Sequence, residues 1–186
     1  MSAINVIKNI DTERYDVTLI GITEEGKWLL VDSVEQIEDE SWRKNTTTAI
    51  LSPDATEKSV IVLKDGKAEM IRIDVVFPVL HGLWGEDGTI QGVLNYLGIP
   101  YTGPGVTASA MAIDKDLTKR VWRSAGIPVP EGVMIDPKAD DAVLEEAIAC
   151  LGATGLVVKP AHDGSSIGVT KLAEPTVAAL RKALED

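Results

Sequence analysis

The chain has 186 residues, 45% of them apolar, with 18 basic residues against 29 acidic and a net charge of −11. That length allows one domain or two small ones, and the apolar share is enough to build a core. The acidic balance disfavours nonspecific binding to nucleic acid or to an anionic membrane, while leaving room for a local phosphate site made of lysines and backbone N–H groups.

Cys150 is the single cysteine, so no disulfide framework forms within the chain. Its place after Ala147-Ile148-Ala149 predicts a small, buried apolar residue in a helix. Met1-Ser-Ala-Ile-Asn lacks the apolar core of a signal peptide. The uncharged run Ala147 to Val158 falls short of the roughly 18–20 residues of a membrane span. The expectation is a soluble cytoplasmic protein with neither nucleic acid nor membrane as partner.

In chain order, Ser2 caps a short helix with Ala3, Val6, Ile7 and Ile10 on one face. Tyr15 to Ile22 reads as a strand, Glu25-Gly26 as a turn and Lys27 to Val31 as a second strand. Residues 40–56 are polar and read as irregular, with a turn at Ser52-Pro53-Asp54. Val60–Leu63 and Ala68–Ile73 flank Lys64-Asp-Gly-Lys67, which predicts a hairpin. Asp74 to Leu80 is a buried-type strand, and Thr89 to Leu97 is a helix stopped at Gly98.

Gly103-Pro-Gly105 is a hinge, followed by helices over about 106–113 and 115–125 and a stop at Gly126-Ile-Pro128. A short strand at Val133–Ile135 precedes a helix from about Asp140 to Leu151. A strand from Gly155 to Lys159, a loop at 161–167, a strand at Val169–Leu172 and a helix from about Pro175 to Leu184 follow. Strands alternating with helices up to residue 103 suggest a parallel α/β layer. That layer opens on a helix whose apolar face needs a sheet, so a first strand is expected to be missing. Apolar surface is then expected to be exposed beside the first helix and Asp74–Leu80.

Two glycine loops follow strands. The first runs from His81 through Gly82, Gly85-Glu86-Asp87-Gly88 and Gln91-Gly92. His81 stands at the carboxyl end of a predicted strand, where open α/β sheets bind ligands. It is either a donor to an anion or a loop histidine bonded to backbone. Glu86 and Asp87 precede a helix whose free N–H groups they can cap, and capping is the local reading of Asp87.

The second loop is His162-Asp-Gly-Ser-Ser-Ile-Gly168. Gly164, Ser165, Ser166 and Gly168 can wrap phosphate oxygens with backbone N–H groups, although no Walker lysine follows. Lys159 either snorkels or meets an anion. Lys115, opening a helix after Asp114, is by itself a solvated surface charge. His162 reads as a loop residue, and neither zinc-ligand spacing nor a defensible Ser-His-Asp order is present.

Taken jointly, these segments resemble D-alanine–D-alanine ligase, of the ATP-grasp superfamily, from about Ser2 through Leu172. The resemblance is carried by His81-Gly with Gly85-Glu-Asp-Gly88 and Gln91-Gly92, then by Pro100-Tyr-Thr-Gly103. It continues in Ala108-Ser-Ala110 with Asp114-Lys115 and Lys119, and in Val158-Lys-Pro160 with Gly164-Ser-Ser-Ile-Gly168. Ile113 stands where the family usually has methionine.

The resemblance implies an α/β fold. It comprises a parallel-sheet, Rossmann-like N-terminal (pre-ATP-grasp) domain over 1–104 and a truncated α+β central ATP-grasp subdomain over 105–186. It also implies a reaction in which ATP phosphorylates one D-alanine and the amine of a second displaces phosphate, for peptidoglycan synthesis. Lys115 and Lys159 would bind the ATP phosphates. Gly164, Ser165, Ser166 and Gly168 would form the loop over them, and Ser165 would also hold the first D-alanine as a catalytic residue. His81 would lie by that substrate's carboxylate, with Glu86 in the same pocket.

The family's opening strand and its Gly-Gly…Ser-x-Glu-His turn have no counterpart before Met1-Ser2-Ala3. The carboxylates and asparagine that hold Mg2+ are expected beyond Asp186, so no metal ligand is expected in this chain. The parent enzyme would be a homodimer and the isolated chain inactive. A noncatalytic nucleotide- or partner-binding module, or a ligase joining D-alanine to D-lactate or D-serine, are the alternatives.

Overall fold

The structure is a computed structural model that describes residues 2–185; the outermost residues of the two expected domains, Met1 and Asp186, lie outside it. The chain divides into two compact units: Met1–Val79 with Gln91–Gly103, and Leu80–Ile90 with Pro104–Asp186.

The first unit contains helix α1 (Ser2–Asn9), strands β1 (Leu19–Ile22) and β2 (Trp28–Val31), and helix α2 (Val34–Glu38). A 3-10 helix (Ser41–Lys44) precedes strands β3 (Thr48–Leu51), β4 (Ser59–Lys64) and β5 (Lys67–Arg72). The five strands form one sheet in sequence order, and every pairing is antiparallel. The expected parallel layer is therefore corrected. Parallel neighbours need a crossover of a dozen or more residues, whereas β4 turns into β5 through Asp65-Gly66 alone. Both turn residues are left-handed, at φ 49° and 74°, as a two-residue hairpin requires.

Within this unit an isolated parallel bridge joins Val76 and Tyr101. Val76 N–H donates to the Pro100 carbonyl (2.8 Å) and Thr102 N–H to the Val76 carbonyl (3.0 Å). The chain between them carries helix α3 (Thr89–Tyr96), so the parallel geometry appears where a helical crossover exists. Asp74–Leu80 is otherwise not a strand. Val75 and Phe77 are 47% and 56% exposed, and α1 buries no residue. Apolar surface is thus exposed at Val75 and Phe77, whereas Ala3, Val6, Ile7 and Ile10 beside the first helix are half-buried.

Residues 40–56 are not irregular throughout, since β3 occupies the middle of the sheet. Its Ala49 packs with Val60 and Val62, joined by Ile20, Leu30, Leu51, Ile71 and Ile73. On the other face Leu29, Val31 and Trp42 pack with Leu19 and Ile37. Gly21 is required there, because a Cβ would sit 2.4 Å from the Trp42 ring. A cleft of about 410 Å³ opens between β2 and β3, lined by Lys27, Trp28, Thr48, Ile50 and Val93 among others. None of the residues singled out for chemistry lines it.

The second unit contains α4 (Val106–Ile113), α5 (Lys115–Ser124), α6 (Asp141–Leu151), β6 (Leu156–Val158), β7 (Thr170–Leu172) and α7 (Val177–Glu185). β6 and β7 pair antiparallel. The core of this unit is Leu144 and Ala147 of α6 with Leu180 and Ala183 of α7. Arg181 anchors the approach to α6, donating to the Ala139 carbonyl at 2.7 Å and to Asp141.

Val133–Ile135 is not a strand. Val133 and Met134 are more than half exposed, and an extended run without a partner strand has no ladder to join. Cys150 is exposed rather than buried, because the inward stripe of α6 runs through Leu144 and Ala147. Among the described residues no helix is long and apolar enough to cross a membrane.

Candidate functional site

The second glycine loop and residues 81–90 of the first belong to the second unit. The first is closed by its own carboxylates. Gly82 N–H donates to Glu86 Oε2 at 2.6 Å, and Glu86 N–H returns a bond to the Gly82 carbonyl at 2.9 Å. Asp87 accepts from Trp84 N–H and from Thr89 N–H, each at 2.9 Å. The second of these satisfies a free donor at the start of α3, the capping role read from the sequence. Burial works against the Asp87 charge, but the Trp84 and Thr89 N–H groups outweigh it and hold the carboxyl below its ordinary pKa.

Gly88 has a positive φ of 93°, and a Cβ there would meet the Val106 carbonyl oxygen at 2.8 Å. Trp84 is also left-handed, at φ 69°, an uncommon state for a bulky side chain. It stands 73% exposed. His81 is exposed on the same loop.

The second loop leaves β6 at Lys159 and returns to β7. Ser165 and Ser166 are consecutive left-handed residues, at φ 52° and 62°, and both are exposed. Gly168 follows at φ 65°, where a Cβ would lie 2.7 Å from Pro160 Cγ. Asp163 Oδ1 accepts from Gly164 N–H at 2.8 Å, and Ile167 N–H closes the turn onto the Gly164 carbonyl at 3.1 Å. The two loops touch at Gly164, where a Cβ would lie 3.4 Å from Glu86 Oε2 and 3.5 Å from Gly82 Cα.

Lys115 ties this loop to the start of α5. Its N–H donates to the Ala161 carbonyl at 3.0 Å and its Nζ donates to the Asp163 carbonyl. Its pKa is lowered, first by burial and then by the charge of Lys159, against the pull of Asp163 and Asp114. Two cations therefore feel each other beside a loop of left-handed serines. Such an arrangement gains from an anion, because an opposite charge offsets both the desolvation and the mutual repulsion.

Lys115, Gly164 and Glu86 are thus gathered in one place, with Lys159 near enough to act on Lys115. Ser165, Ser166 and Gly168 share the loop. His81 stands on the first loop. The sequence reading missed the contact of His162 with Asp114, 3.1 Å between Nε2 and Oδ2 across 48 positions. No local signal announces a pair so far apart. Among the described residues no group of three or more His, Cys, Asp or Glu side chains is placed to hold a metal ion.

The sequence profile described as D-ala D-ala ligase N-terminus matches residues 1–104. The chain belongs to the D-alanine–D-alanine ligase family. It is 42% identical over 175 residues to a D-alanine--D-alanine ligase of Thermoanaerobacter sp. (strain X514), covering 92% of this chain and 48% of that relative. With the D-alanine--D-alanine ligase of Rhodococcus erythropolis it shares 44% over 181 residues, 92% of this chain and 49% of the relative.

Among solved structures, the VanG D-Ala:D-Ser ligase from Enterococcus faecalis superposes with a TM-score of 0.80 at 36% identity. That match covers 99% of this chain and 53% of the other. The D-alanine-D-alanine ligase from Coxiella burnetii gives a TM-score of 0.81 at 31% identity, over 99% of this chain and 54% of the other. The chain thus spans about half the length of the ligases it matches. The family is one of ligase enzymes.

Proposed function

We propose that this chain carries the ATP-phosphate site and part of the first D-alanine site of a D-alanine–D-alanine ligase. Residues 1–104 would form the N-terminal domain and residues 105–186 part of the central ATP-grasp subdomain. In the whole reaction the carboxylate of one D-alanine takes the terminal phosphoryl group of ATP, giving D-alanyl phosphate and ADP. The amine of a second D-alanine then attacks the acyl carbon, forms the amide and expels phosphate, for peptidoglycan synthesis in the cytoplasm.

The observation that carries this reading is Lys115, its Nζ tied to the Asp163 carbonyl beside the left-handed Ser165-Ser166 turn, with the charge of Lys159 acting on it. Fixed cations suit phosphoryl transfer, because the charge moves between oxygens and little covalent work is left to the protein. Backbone N–H groups of Gly164, Ser165, Ser166 and Gly168 would clasp the phosphates. Ser165 and His81 would hold the first D-alanine, with Glu86 shaping that pocket through Gly82. Mg2+ serves such reactions by offsetting phosphate charge. Among the described residues no group of three or more His, Cys, Asp or Glu side chains is placed to hold it. A homodimer is the proposed assembly of the whole enzyme.

Because the chain spans about half of its relatives, the 186-residue polypeptide is proposed to bind ATP with little ligation of its own. Titration of the chain with ATP tests the reading. Lys115→Ala and Lys159→Ala are each expected to weaken binding by roughly tenfold, in the range for a hydrogen bond to a charged group. Unchanged affinity in both variants would overturn it. A second reading, D-serine as the second substrate, rests on the likeness to VanG; product analysis of an enzyme reconstituted over its full length separates the two.

A further inference from the structure

Asp114 uses its two carboxylate oxygens differently. Oδ1 accepts from Asp116 N–H at 3.0 Å and Leu117 N–H at 2.9 Å, capping α5. Oδ2 faces outward and lies 3.1 Å from His162 Nε2. Next along the chain, Lys115 N–H bonds the Ala161 carbonyl and Lys115 Nζ bonds the Asp163 carbonyl. Three consecutive residues of the glycine loop, 161 to 163, are thus stitched to two consecutive residues at the start of α5. His162 supplies a side-chain contact from the loop to that seam.

We infer that His162 is a positioning residue for Lys115, acting through the Asp114 carboxylate. The inference rests on the reading that Lys115 meets nucleotide phosphates. A lysine side chain has many rotamers, and aiming its ammonium means restricting them. The seam does so by fixing the backbone on both sides of the amine. Ala161 and Asp163 contribute main-chain carbonyls, which any sequence retains while the loop stays in place. The His162–Asp114 contact keeps it there and is the part that a substitution removes. His162 is 65% exposed and Asp114 25% exposed at the side chain, so a modest effect is expected. The charges that act on the Lys115 amine are those of Lys159, Asp163 and Asp114 itself.

The test uses the 186-residue chain and two readouts. Hydrogen exchange at the Lys115 amide, measured without nucleotide, reports whether the seam is closed. ATP titration reports whether closure matters to binding. His162→Ala is expected to speed exchange at Lys115 about fivefold and to weaken ATP binding by a similar factor, the effect of one lost hydrogen bond. His162→Gln, whose amide can still donate to Asp114, is expected to recover most of both. Asp114→Asn, which keeps a capping oxygen, is expected to add less than twofold in a His162→Ala background. Unchanged exchange in His162→Ala overturns the inference. So does faster exchange with unchanged ATP affinity, which would leave His162 a purely structural contact. If the unaltered chain binds no ATP, the proposed function fails instead, and the exchange result alone decides whether His162 holds Lys115.

Discussion

The five-stranded sheet and the paired glycine loops are held together by different means. In the sheet, stability comes from many interchangeable apolar contacts. Ala49, Val60 and Val62 are nearly fully buried, and five further hydrophobic residues pack around them. In the loops, large side chains are mostly exposed, and the shape is set by single bonds from Glu86, Asp87, Asp163 and Lys115 to named backbone groups. Left-handed residues are concentrated there too, at Gly82, Trp84, Gly88, Ser165, Ser166 and Gly168. Burial tolerates exchange among apolar residues of similar volume. A loop built from individual bonds does not, since each lost acceptor leaves a particular N–H without its partner.

The contrast predicts unequal consequences. Leu94 is fully buried in the first unit, and Leu94→Ala is expected to lower unfolding free energy by about 3 kcal/mol. Urea denaturation would show this as a lower midpoint with an unchanged slope. Gly168→Ala is expected to have a smaller effect on stability, about 1–2 kcal/mol, from its left-handed φ and the close approach of Pro160. ATP binding should fall with it if the loop wraps phosphate. A Gly168→Ala chain with full stability and full affinity would remove the claim that this turn is constrained.

Asp87→Asn is expected to have the smallest effect, about 1 kcal/mol at neutral pH. Its sign with pH is defined. The folded Asp87 carboxyl is held below its ordinary pKa, so its contribution is present above the unfolded value and is lost as pH falls through the folded one. The gap between wild type and Asp87→Asn should therefore close below about pH 4. A gap that widens on acidification would contradict the bonding described for Asp87.

Much of the local structure was legible in the residues. The Asp65-Gly66 hairpin, the helices over 106–113 and 115–124, and the stops at Gly98 and Gly126 all follow from turn chemistry and periodicity. β3 escaped because Thr48–Leu51 is short and lies in a polar stretch; only its neighbours β2 and β4 make it a strand. Asp74–Leu80 misled in the opposite way, since an apolar run says nothing about whether partner strands lie beside it. Cys150 misled because helical periodicity gives the spacing of a buried stripe, while its rotation is set by what packs against it.

The sequence by itself determined the family, through motifs whose order and spacing survive independently of any coordinates, and it determined which short segments turn, cap and stop. Strand direction, the rotation of each helix, and the meeting of Asp114 with His162 and of Gly164 with Gly82 were decided only by the tertiary structure. The physical reason is range. Propensity, capping and turn geometry act over a few residues, whereas pairing and burial depend on groups that the chain brings together from tens of positions away.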